Sequence, residues 1–193
     1  MAHTKAEWRD RLLRARRSMD LEARCAASAA VVERIAAVQA FVNARSLRLY
    51  VAIGAELDPA ALGPLAWRAG KSVYRPATAD PPAAWVLVEP PEGRAPRSPG
   101  APTTPTLVVV PGLAFDPAGT RLGRGRGYYD RAVAALRRDG AVTVVGVAFD
   151  LQVVPELPRD SWDQMVDLIV TERRVLICRE MPATDPSEVH HES

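Results

Sequence analysis

Arginine and glycine alternate in one short stretch of this chain, where their spacing suits the binding of an anion. Residues 119–127 contain three arginines and four glycines. Glycine lets backbone N–H groups approach a phosphate closely, and the planar guanidinium matches the geometry of phosphate oxygens. A helix that begins after such a loop adds the positive end of its dipole. The stretch therefore predicts a phosphate site, whose donors are Arg121, Arg124 and Arg126.

An acid and two aromatic side chains follow the last glycine directly. Tyr128, Tyr129 and Asp130 lie where a helix is expected to begin. Asp130 is placed to hold a metal ion on the phosphates, because Mg²⁺ is commonly bound by one or two carboxylates plus substrate phosphates. Two other interpretations stay open on the residues alone: a solvated arginine loop whose acid only favours the helix dipole, and an Arg/Gly segment that binds RNA. RNA-binding segments of that kind normally repeat in tails, whereas this one occurs once.

Three weaker signals lie elsewhere in the chain. Lys5 and Arg9 are four residues apart near the start of a predicted helix, so they either hold an anion between them or form a solvated basic face. Asp163 and Asp167 have the same spacing and are either magnesium ligands or ordinary surface acids. Glu56 follows a predicted strand, where it can accept hydrogen bonds from a ligand or simply precede a helix.

Other chemistries find little support in the sequence. Gly70, Lys71 and Ser72 resemble the end of a P-loop, but Leu65 stands where that motif needs glycine, and the helix is predicted before the strand. There is no nucleophile elbow and no zinc-ligand spacing. The histidines lie at the ends of the chain, at His3, His190 and His191, so histidine acid–base catalysis is not expected.

Alternating strands and helices must position these side chains. A capping box at Thr4 and Glu7 begins a helix to residue 17, and a second helix begins near residue 18 or 20, with an apolar stripe at Val31, Ile35, Val38 and Val42. Strands are predicted at 47–53, 71–74, 85–88, 106–111, 141–149, 167–170 and 175–178. Further helices are predicted at 59–69, with Asp58 as N-cap, and at 128–138, ended by Gly140.

This order indicates one α/β domain with a mostly parallel central sheet and helices on both faces, a Rossmann-like three-layer arrangement. The glycine-rich loop then lies beyond the carboxyl end of a central strand, where such sheets bind ligands. The domain is expected over residues 1–181, followed by a polar tail over 182–193. Residues 90–105, with six prolines, form a long loop between strands.

Composition limits where the protein works and what it binds. The net charge is only +2, which gives no reason to expect a nucleic-acid partner, and no apolar run is long enough to span a membrane. The N-terminus lacks the apolar core of a signal peptide, so we expect a cytoplasmic protein. Cys25 and Cys178 have no spacing partner and are expected to be free thiols. We also expect a monomer.

Two segments, residues 110–116 and 119–131, resemble the signature of the 5-formyltetrahydrofolate cyclo-ligase family, also called 5,10-methenyltetrahydrofolate synthetases. The resemblance extends to Lys5, Arg9 and Glu56 and to the region from residue 149 to 167. It implies an enzyme that uses ATP and Mg²⁺ to convert 5-formyltetrahydrofolate to 5,10-methenyltetrahydrofolate, with release of ADP and phosphate. The formyl oxygen would be phosphorylated, and ring closure would then expel phosphate.

The resemblance also implies roles for individual residues. The ATP phosphates would be held by Lys5, Arg9, Arg121, Arg124 and Arg126, the three loop arginines being catalytic. The nucleotide would be wrapped by Gly123, Gly125, Gly127, Tyr128 and Tyr129. Asp130 and Asp163 would bind magnesium, while Glu56, Val51 and Tyr128 would contact the folate. A relative that binds MgATP but acts on another substrate, or has a thiamine-related role, is the alternative within this family.

Arg126 stands at a position that is variable in the family and often carries lysine or glycine. The chain also departs from the family pattern at two positions near the predicted ligand contacts. Trp162 precedes Asp163, where relatives usually carry a small polar residue or histidine. Pro59 stands where a threonine is common after Glu56. Both departures fall beside predicted ligand contacts, so the details of metal and folate binding are expected to differ from those of relatives.

Overall fold

Strands and helices alternate along most of the chain in this computed structural model, which describes residues 4–77, 84–90 and 105–178. The helices of these residues are α1 (Lys5–Arg17), α2 (Leu21–Ala37), α3 (Gln39–Asn43), α4 (Leu62–Arg68) and α5 (Tyr128–Asp139). The strands are β1 (Ser46–Leu49), β2 (Ser72–Pro76), β3 (Trp85–Val88), β4 (Thr106–Pro111), β5 (Ala114–Phe115), β6 (Arg121–Leu122), β7 (Val142–Val147), β8 (Leu168–Val170) and β9 (Val175–Ile177).

Seven of these strands form one sheet, in the order β3-β2-β1-β4-β7-β8-β9. The five inner strands are parallel, and the two edge strands β3 and β9 are antiparallel to their neighbours. On one face the sheet packs against α2 and α4, and on the other against α5. The predicted α/β class and its helices on both faces are therefore confirmed. Among the described residues, no helix combines the length and apolar character needed to cross a bilayer.

The central strand β4 shows why its sequence is continuously apolar. Leu107 and Val109 pack into the core beneath α2 and α4, whereas Val108 and Val110 pack into the core beneath α5. A strand covered on both faces has no polar side to present to water. The same strand carries the chain directly to the glycine-rich stretch.

A small hairpin, β5–β6, follows β4 and was not foreseen from the sequence. Buried Asp116 holds its turn by accepting hydrogen bonds from the N–H of Thr120 (2.9 Å) and from the N–H of Leu157 (3.0 Å). Gln152, also buried, donates to the carbonyls of Gly112 and Leu113. Helix α1 packs on this hairpin through Trp8 and Leu12. These contacts fix the start of the glycine-rich loop.

The first strand is shorter than predicted. β1 ends at Leu49, and Val51 and Ile53 are 54% and 48% exposed instead of lying in the sheet. The chain leaves the sheet because Tyr50 is buried and its hydroxyl donates to the carbonyl of Leu57. Val51 and Ile53 continue the alternating apolar pattern of the sequence beyond the strand, but their side chains line a cleft instead of the core.

Two helix predictions also need correction. Val38 has an extended backbone that separates α2 from α3, and Val42 is 57% exposed, so the apolar stripe of α2 stops at Ile35. Helix α4 begins at Leu62 instead of residue 59, because residues 59–61 form a tighter turn. In this turn the carbonyls of Pro59 and Ala60 accept hydrogen bonds from the N–H groups of Leu62 and Gly63, three residues later. The loop predicted at residues 90–105 and the tail at 182–193 lie largely or wholly outside the described residues.

Candidate active site

A cleft of about 780 Å³ lies at the carboxyl ends of β1 and β4, within the size range of small-molecule sites. Its lining includes every residue to which the family resemblance gave a role, from the start of α1 to the glycine-rich loop and Asp163. Its lining residues are Lys5, Arg9, Val51, Ile53, Glu56, Pro76, Ala77, Pro111, Gly112, Leu113, Arg121, Leu122, Gly123, Arg124, Gly125, Arg126, Gly127, Tyr128, Tyr129, Asp130, Asp160, Trp162 and Asp163.

The glycine-rich loop joins β6 to α5 through backbone conformations that favour glycine. Gly125 has φ +91° and Gly127 has φ +60°, both in the left-handed region. Gly127 is the N-cap residue of α5 and supplies no side-chain cap. The N-terminal N–H groups of this helix therefore lie at the cleft, where they favour a negatively charged group.

Arg121 begins the loop as a buried residue with its own carboxylate. Its Nη2 donates to Oδ2 of Asp130 at 2.8 Å, and its guanidinium lies over the ring of Tyr129 at 5.6 Å. The side chain of Arg121 is 5% exposed, and that of Asp130 is 16% exposed. The N–H of Gln164 donates to the other oxygen of Asp130 at 3.1 Å. This network fixes the direction of the Asp130 carboxylate.

Lys5 pairs with two carboxylates at the cleft. Its Nζ donates to the carboxylates of both Asp160 and Asp163 at 2.7 Å. Burial alone would raise the pKa of Asp163, but the hydrogen bonds from Lys5 and from the backbone N–H of Asp160 outweigh it and lower that pKa. Burial alone would lower the pKa of Lys5, but its bonds to the two acids raise it.

Glu56 is held at the opposite side of the cleft by a tight turn. Gly54 has φ +64°, and the N–H of Ile53 donates to Oε2 of Glu56 at 3.1 Å. Oε1 accepts a hydrogen bond from Nη2 of Arg124 at 2.9 Å, so an arginine of the glycine-rich loop reaches across the cleft. Nη2 of the buried Arg16 lies 3.9 Å from the same oxygen.

The two tyrosines and Arg9 also line the cleft. The rings of Tyr128 and Tyr129 pack edge to face with centroids 4.6 Å apart, and burial raises the pKa of both hydroxyls. The buried hydroxyl of Tyr128 has no hydrogen-bond partner in the described parts of the chain. Arg9 donates from Nε to the carbonyl of Gly123 at 3.0 Å, which joins helix α1 to the loop.

The acids of the cleft suit a hard cation that also binds phosphate oxygens. Asp130 and Asp163 both line the cleft, and the Lys5 ammonium on Asp163 shows that this carboxylate already attracts a cation. No cluster of three or more histidine, cysteine or acidic side chains occurs among residues 4–77, 84–90 and 105–178. Two carboxylates are nevertheless enough for Mg²⁺, which keeps several waters and takes further oxygens from substrate phosphates.

Some candidates from the sequence lie outside the site. Asp167 pairs with Arg137 through both of its oxygens at 3.0 Å, and it also accepts the N–H of Val144, so it supports the sheet. Lys71 is buried, with its Nζ bound to the carbonyls of Val42 and Ala44. This structural role agrees with the rejection of a P-loop.

Two residues of the site network were missed from the sequence. Arg16 and Asp160 contact predicted site residues, Glu56 and Lys5 respectively. Arg16 lies in an arginine-rich stretch of α1 that offers no signal for which arginine is buried. Asp160 contacts a residue 155 positions away in the chain. Only the folded arrangement brings either pair together.

Comparison with known proteins gives a consistent result. A model of the 5-formyltetrahydrofolate cyclo-ligase family matches residues 1–172. The chain is 35% identical over 101 residues to a probable 5-formyltetrahydrofolate cyclo-ligase of Schizosaccharomyces pombe, covering 48% of this chain and 49% of that protein. It is 29% identical over 149 residues to the 5-formyltetrahydrofolate cyclo-ligase of Escherichia coli K12, covering 69% and 81%. The match thus spans about half the length of the first of these curated relatives.

A solved structure resembles the whole fold. The NMR structure of Aquifex aeolicus 5,10-methenyltetrahydrofolate synthetase superposes with a TM-score of 0.74 at 31% identity. The superposition covers 97% of this chain and 99% of that one. The similarity therefore includes the sheet, the helices that cover it and the elements that surround the cleft.

Proposed function

Because the chain belongs to the 5-formyltetrahydrofolate cyclo-ligase family, we propose that it converts 5-formyltetrahydrofolate to 5,10-methenyltetrahydrofolate and cleaves ATP to ADP and phosphate. One observation carries this proposal beyond family membership. A single cleft holds an arginine-rich loop at a helix N-terminus and, across from it, the carboxylate of Glu56. The first suits a polyphosphate, and the second suits the amino and ring N–H donors of a pterin.

The proposed reaction has two steps. The formyl oxygen attacks the terminal phosphorus of ATP, an O–P bond forms, and ADP leaves. The second folate nitrogen then attacks the activated formyl carbon and loses its proton, a C–N bond forms, and the C–O bond breaks, so that phosphate and the proton leave. Phosphoryl transfer depends mainly on positioning and charge neutralisation, which explains how a cleft without histidine among its lining residues supports it.

The cationic side chains of the cleft take the phosphate-binding roles. Arg124 and Arg126 extend from the glycine-rich loop, and Lys5 and Arg9 approach from helix α1. Arg121 contributes to the same positive field and also keeps the Asp130 carboxylate directed at the cleft. The backbone from Gly123 to Tyr129 surrounds the nucleotide, because its glycines let N–H groups approach closely.

The acidic and apolar side chains take the remaining roles. Asp130 and Asp163 would hold Mg²⁺, which would neutralise charge on the phosphates when bound. Lys5, which also lines the cleft, would contact the phosphates. Glu56 accepts hydrogen bonds from the pterin, and Val51 and Tyr128, which also line the cleft, contact the folate.

The test is an activity assay on purified protein. Methenyltetrahydrofolate has a characteristic absorbance, so its appearance from 5-formyltetrahydrofolate is followed with and without ATP and Mg²⁺. We expect turnover only when both are present. Arg124→Ala is expected to reduce turnover by about 10²- to 10³-fold, since it removes a donor to the transferred phosphate.

Arg138→Ala is the matched control, because Arg138 lies on the exposed side of α5, away from the cleft. It should retain the activity of the unmodified chain. Absence of turnover by folded protein would refute the proposal. Binding of MgATP without turnover of this folate would point instead to a family relative with another substrate.

A further inference from the structure

Glu56 has two guanidinium partners that differ sharply in their surroundings. Arg124 donates to its Oε1 at 2.9 Å, and the Arg124 side chain is 52% exposed. Arg16 lies 3.9 Å from the same oxygen, and its side chain is 4% exposed. Glu56 itself is 8% exposed. One carboxylate is therefore shared between a partner in the interior and a partner in the cleft.

Arg16 is built into the fold. It lies on helix α1, and its Nε is buried with no hydrogen-bond partner in the described parts of the chain. A buried guanidinium is costly unless a nearby negative charge compensates it. Burial lowers the pKa of Arg16, and the charge of Glu56 opposes this effect. Glu56 is therefore the negative charge that compensates the buried Arg16.

The half-exposed Arg124 side chain, by contrast, can separate from Glu56. It lies between Gly123 and Gly125, on backbone that carries few side-chain constraints. Its positive charge also lowers the pKa of Arg16, so the two guanidinium groups repel each other across the carboxylate they share. Two cations on one anion leave a net positive charge, which an incoming phosphate would relieve by drawing Arg124 away.

We infer that Arg16 is the resident counter-ion that positions Glu56 for the folate, and that Arg124 is an exchangeable one. Binding of a nucleotide phosphate takes Arg124 from Glu56 and exposes the carboxylate to the substrate's N–H donors. When Arg124 has moved, Arg16 keeps the carboxylate in place. This inference rests on the proposed function, because it takes the nucleotide and the folate as the two ligands.

The exchange couples the two ligands energetically. In the absence of nucleotide, the folate must compete with Arg124 for Oε1 of Glu56. With nucleotide bound, that competition ends, so each ligand strengthens the binding of the other by the same factor. Because the contact is half exposed, we expect a factor of about threefold to tenfold.

The experiment measures binding of 5-formyltetrahydrofolate by calorimetry, with and without Mg²⁺ and the non-hydrolysable β,γ-imido analogue of ATP. In the unmodified protein the analogue should tighten folate binding by the factor above. Arg124→Ala should bind folate more tightly than the unmodified protein when no nucleotide is present. The analogue should then have little further effect on that variant, although its turnover is poor.

Arg16 is tested as a positioning residue by a comparison of two substitutions. Arg16→Met should raise the KM for folate by about tenfold or more while changing kcat and the KM for ATP much less, since the carboxylate loses its buried partner. Arg16→Lys should recover part of the folate affinity, because it restores a positive charge. A purely structural role would lower kcat and both affinities together and would not be rescued by lysine.

The outcomes separate this inference from the proposed function. If the unmodified protein binds no folate, the proposed function fails. If it binds folate equally well with and without the analogue, the inference fails and the function stands. If the analogue still tightens folate binding to the Arg124→Ala variant, the coupling does not depend on Arg124. The proposed exchange of Arg124 between Glu56 and the phosphate is then wrong. If Arg16→Met does not fold, the folate-binding measurements on Arg124→Ala still test the exchange.

Discussion

Arg121 and Arg124 belong to the same loop, yet their side chains lie in opposite surroundings. Arg121 is 5% exposed and has a carboxylate, Asp130, that binds it at 2.8 Å. Arg124 is 52% exposed and shares Glu56 with a second arginine. The base of the loop, defined by Arg121 and Asp130, is therefore a fixed ion pair. The tip, defined by residues 123–127, carries an ion pair that can exchange.

The difference shows how one loop can be both rigid and responsive. At the base, a buried charge needs an opposite charge beside it, so the pair joins β6 to the first turn of α5. At the tip, water screens the interaction, so little stability is lost when the partner changes. A phosphate ligand can thus recruit the tip while the base keeps its geometry.

We expect the largest loss of stability when the ion pair at the base of the loop is removed. Asp130→Ala should lower the free energy of unfolding by about 3 kcal/mol, because it leaves the guanidinium of Arg121 buried without a counter-ion. Arg124→Ala at the tip should cost less than about 1 kcal/mol. Urea denaturation of both variants measures the two effects.

A double variant tests the reason for that difference. Arg121→Met combined with Asp130→Ala should be less destabilising than the sum of the two single changes, since no unpaired charge remains. Equal losses for Asp130→Ala and Arg124→Ala would contradict the distinction between base and tip.

We expect a smaller loss of stability when the backbone at the tip of the loop is strained. Gly125→Ala should lower the free energy of unfolding by about 1 kcal/mol, because φ is +91° there and an L-residue is strained in that conformation. Space is not limiting, since an added Cβ would lie 3.5 Å from Arg9 Nη2. Gly63→Ala in helix α4 is the matched control and should be neutral or stabilising. An equal loss in both variants would mean that the conformation of the tip is not special.

We expect the smallest loss of stability when Lys5 no longer pairs with Asp160 and Asp163. Lys5→Met should cost about 0.5–1 kcal/mol at pH 7. Because the pKa of Asp163 is lowered in the folded state, its contribution is complete above about pH 4, the ordinary carboxyl value, and is lost as the pH falls through the lower folded value. Because the pKa of Lys5 is raised, the alkaline limit lies above its ordinary value of about 10.4.

Denaturation curves of the unmodified protein and Lys5→Met across this pH range provide the test. The difference between them should be largest from about pH 5 to pH 9 and should shrink towards both limits. A difference that does not change with pH would show that Lys5 acts through packing of its aliphatic chain instead of through its charge.

Local signals allowed much of the fold to be predicted. The capping box of Thr4 and Glu7 begins α1, and Asp20 caps α2, because each involves residues only three positions apart. The buried strand over Thr106–Pro111 was predicted with its observed bounds, and α5 begins at Tyr128 as expected. These elements depend on interactions within a few residues, which a sequence displays directly.

The remaining features depend on contacts between distant parts of the chain. Val51 and Ile53 continue the alternation of β1, and only the folded chain shows that they face the cleft. The signature predicted which arginines belong to the site, but it did not distinguish the buried Arg121 from the half-exposed Arg124. The partners of Lys5 and Glu56 could not be predicted either, because charge pairing between residues far apart in the chain, such as Lys5 and Asp163, leaves no local pattern.

Helix α1 has a consequence for the order in which the protein is made. Trp8 and Leu12 leave the ribosome early, but the residues they pack against, Ala114, Leu122, Val154 and Leu157, are synthesised more than a hundred positions later. The first helix of the chain must therefore wait, with its apolar face exposed, until most of the protein has been translated. Because Lys5 and Arg9 lie on that helix, their part of the cleft is completed only after most of the chain has been synthesised.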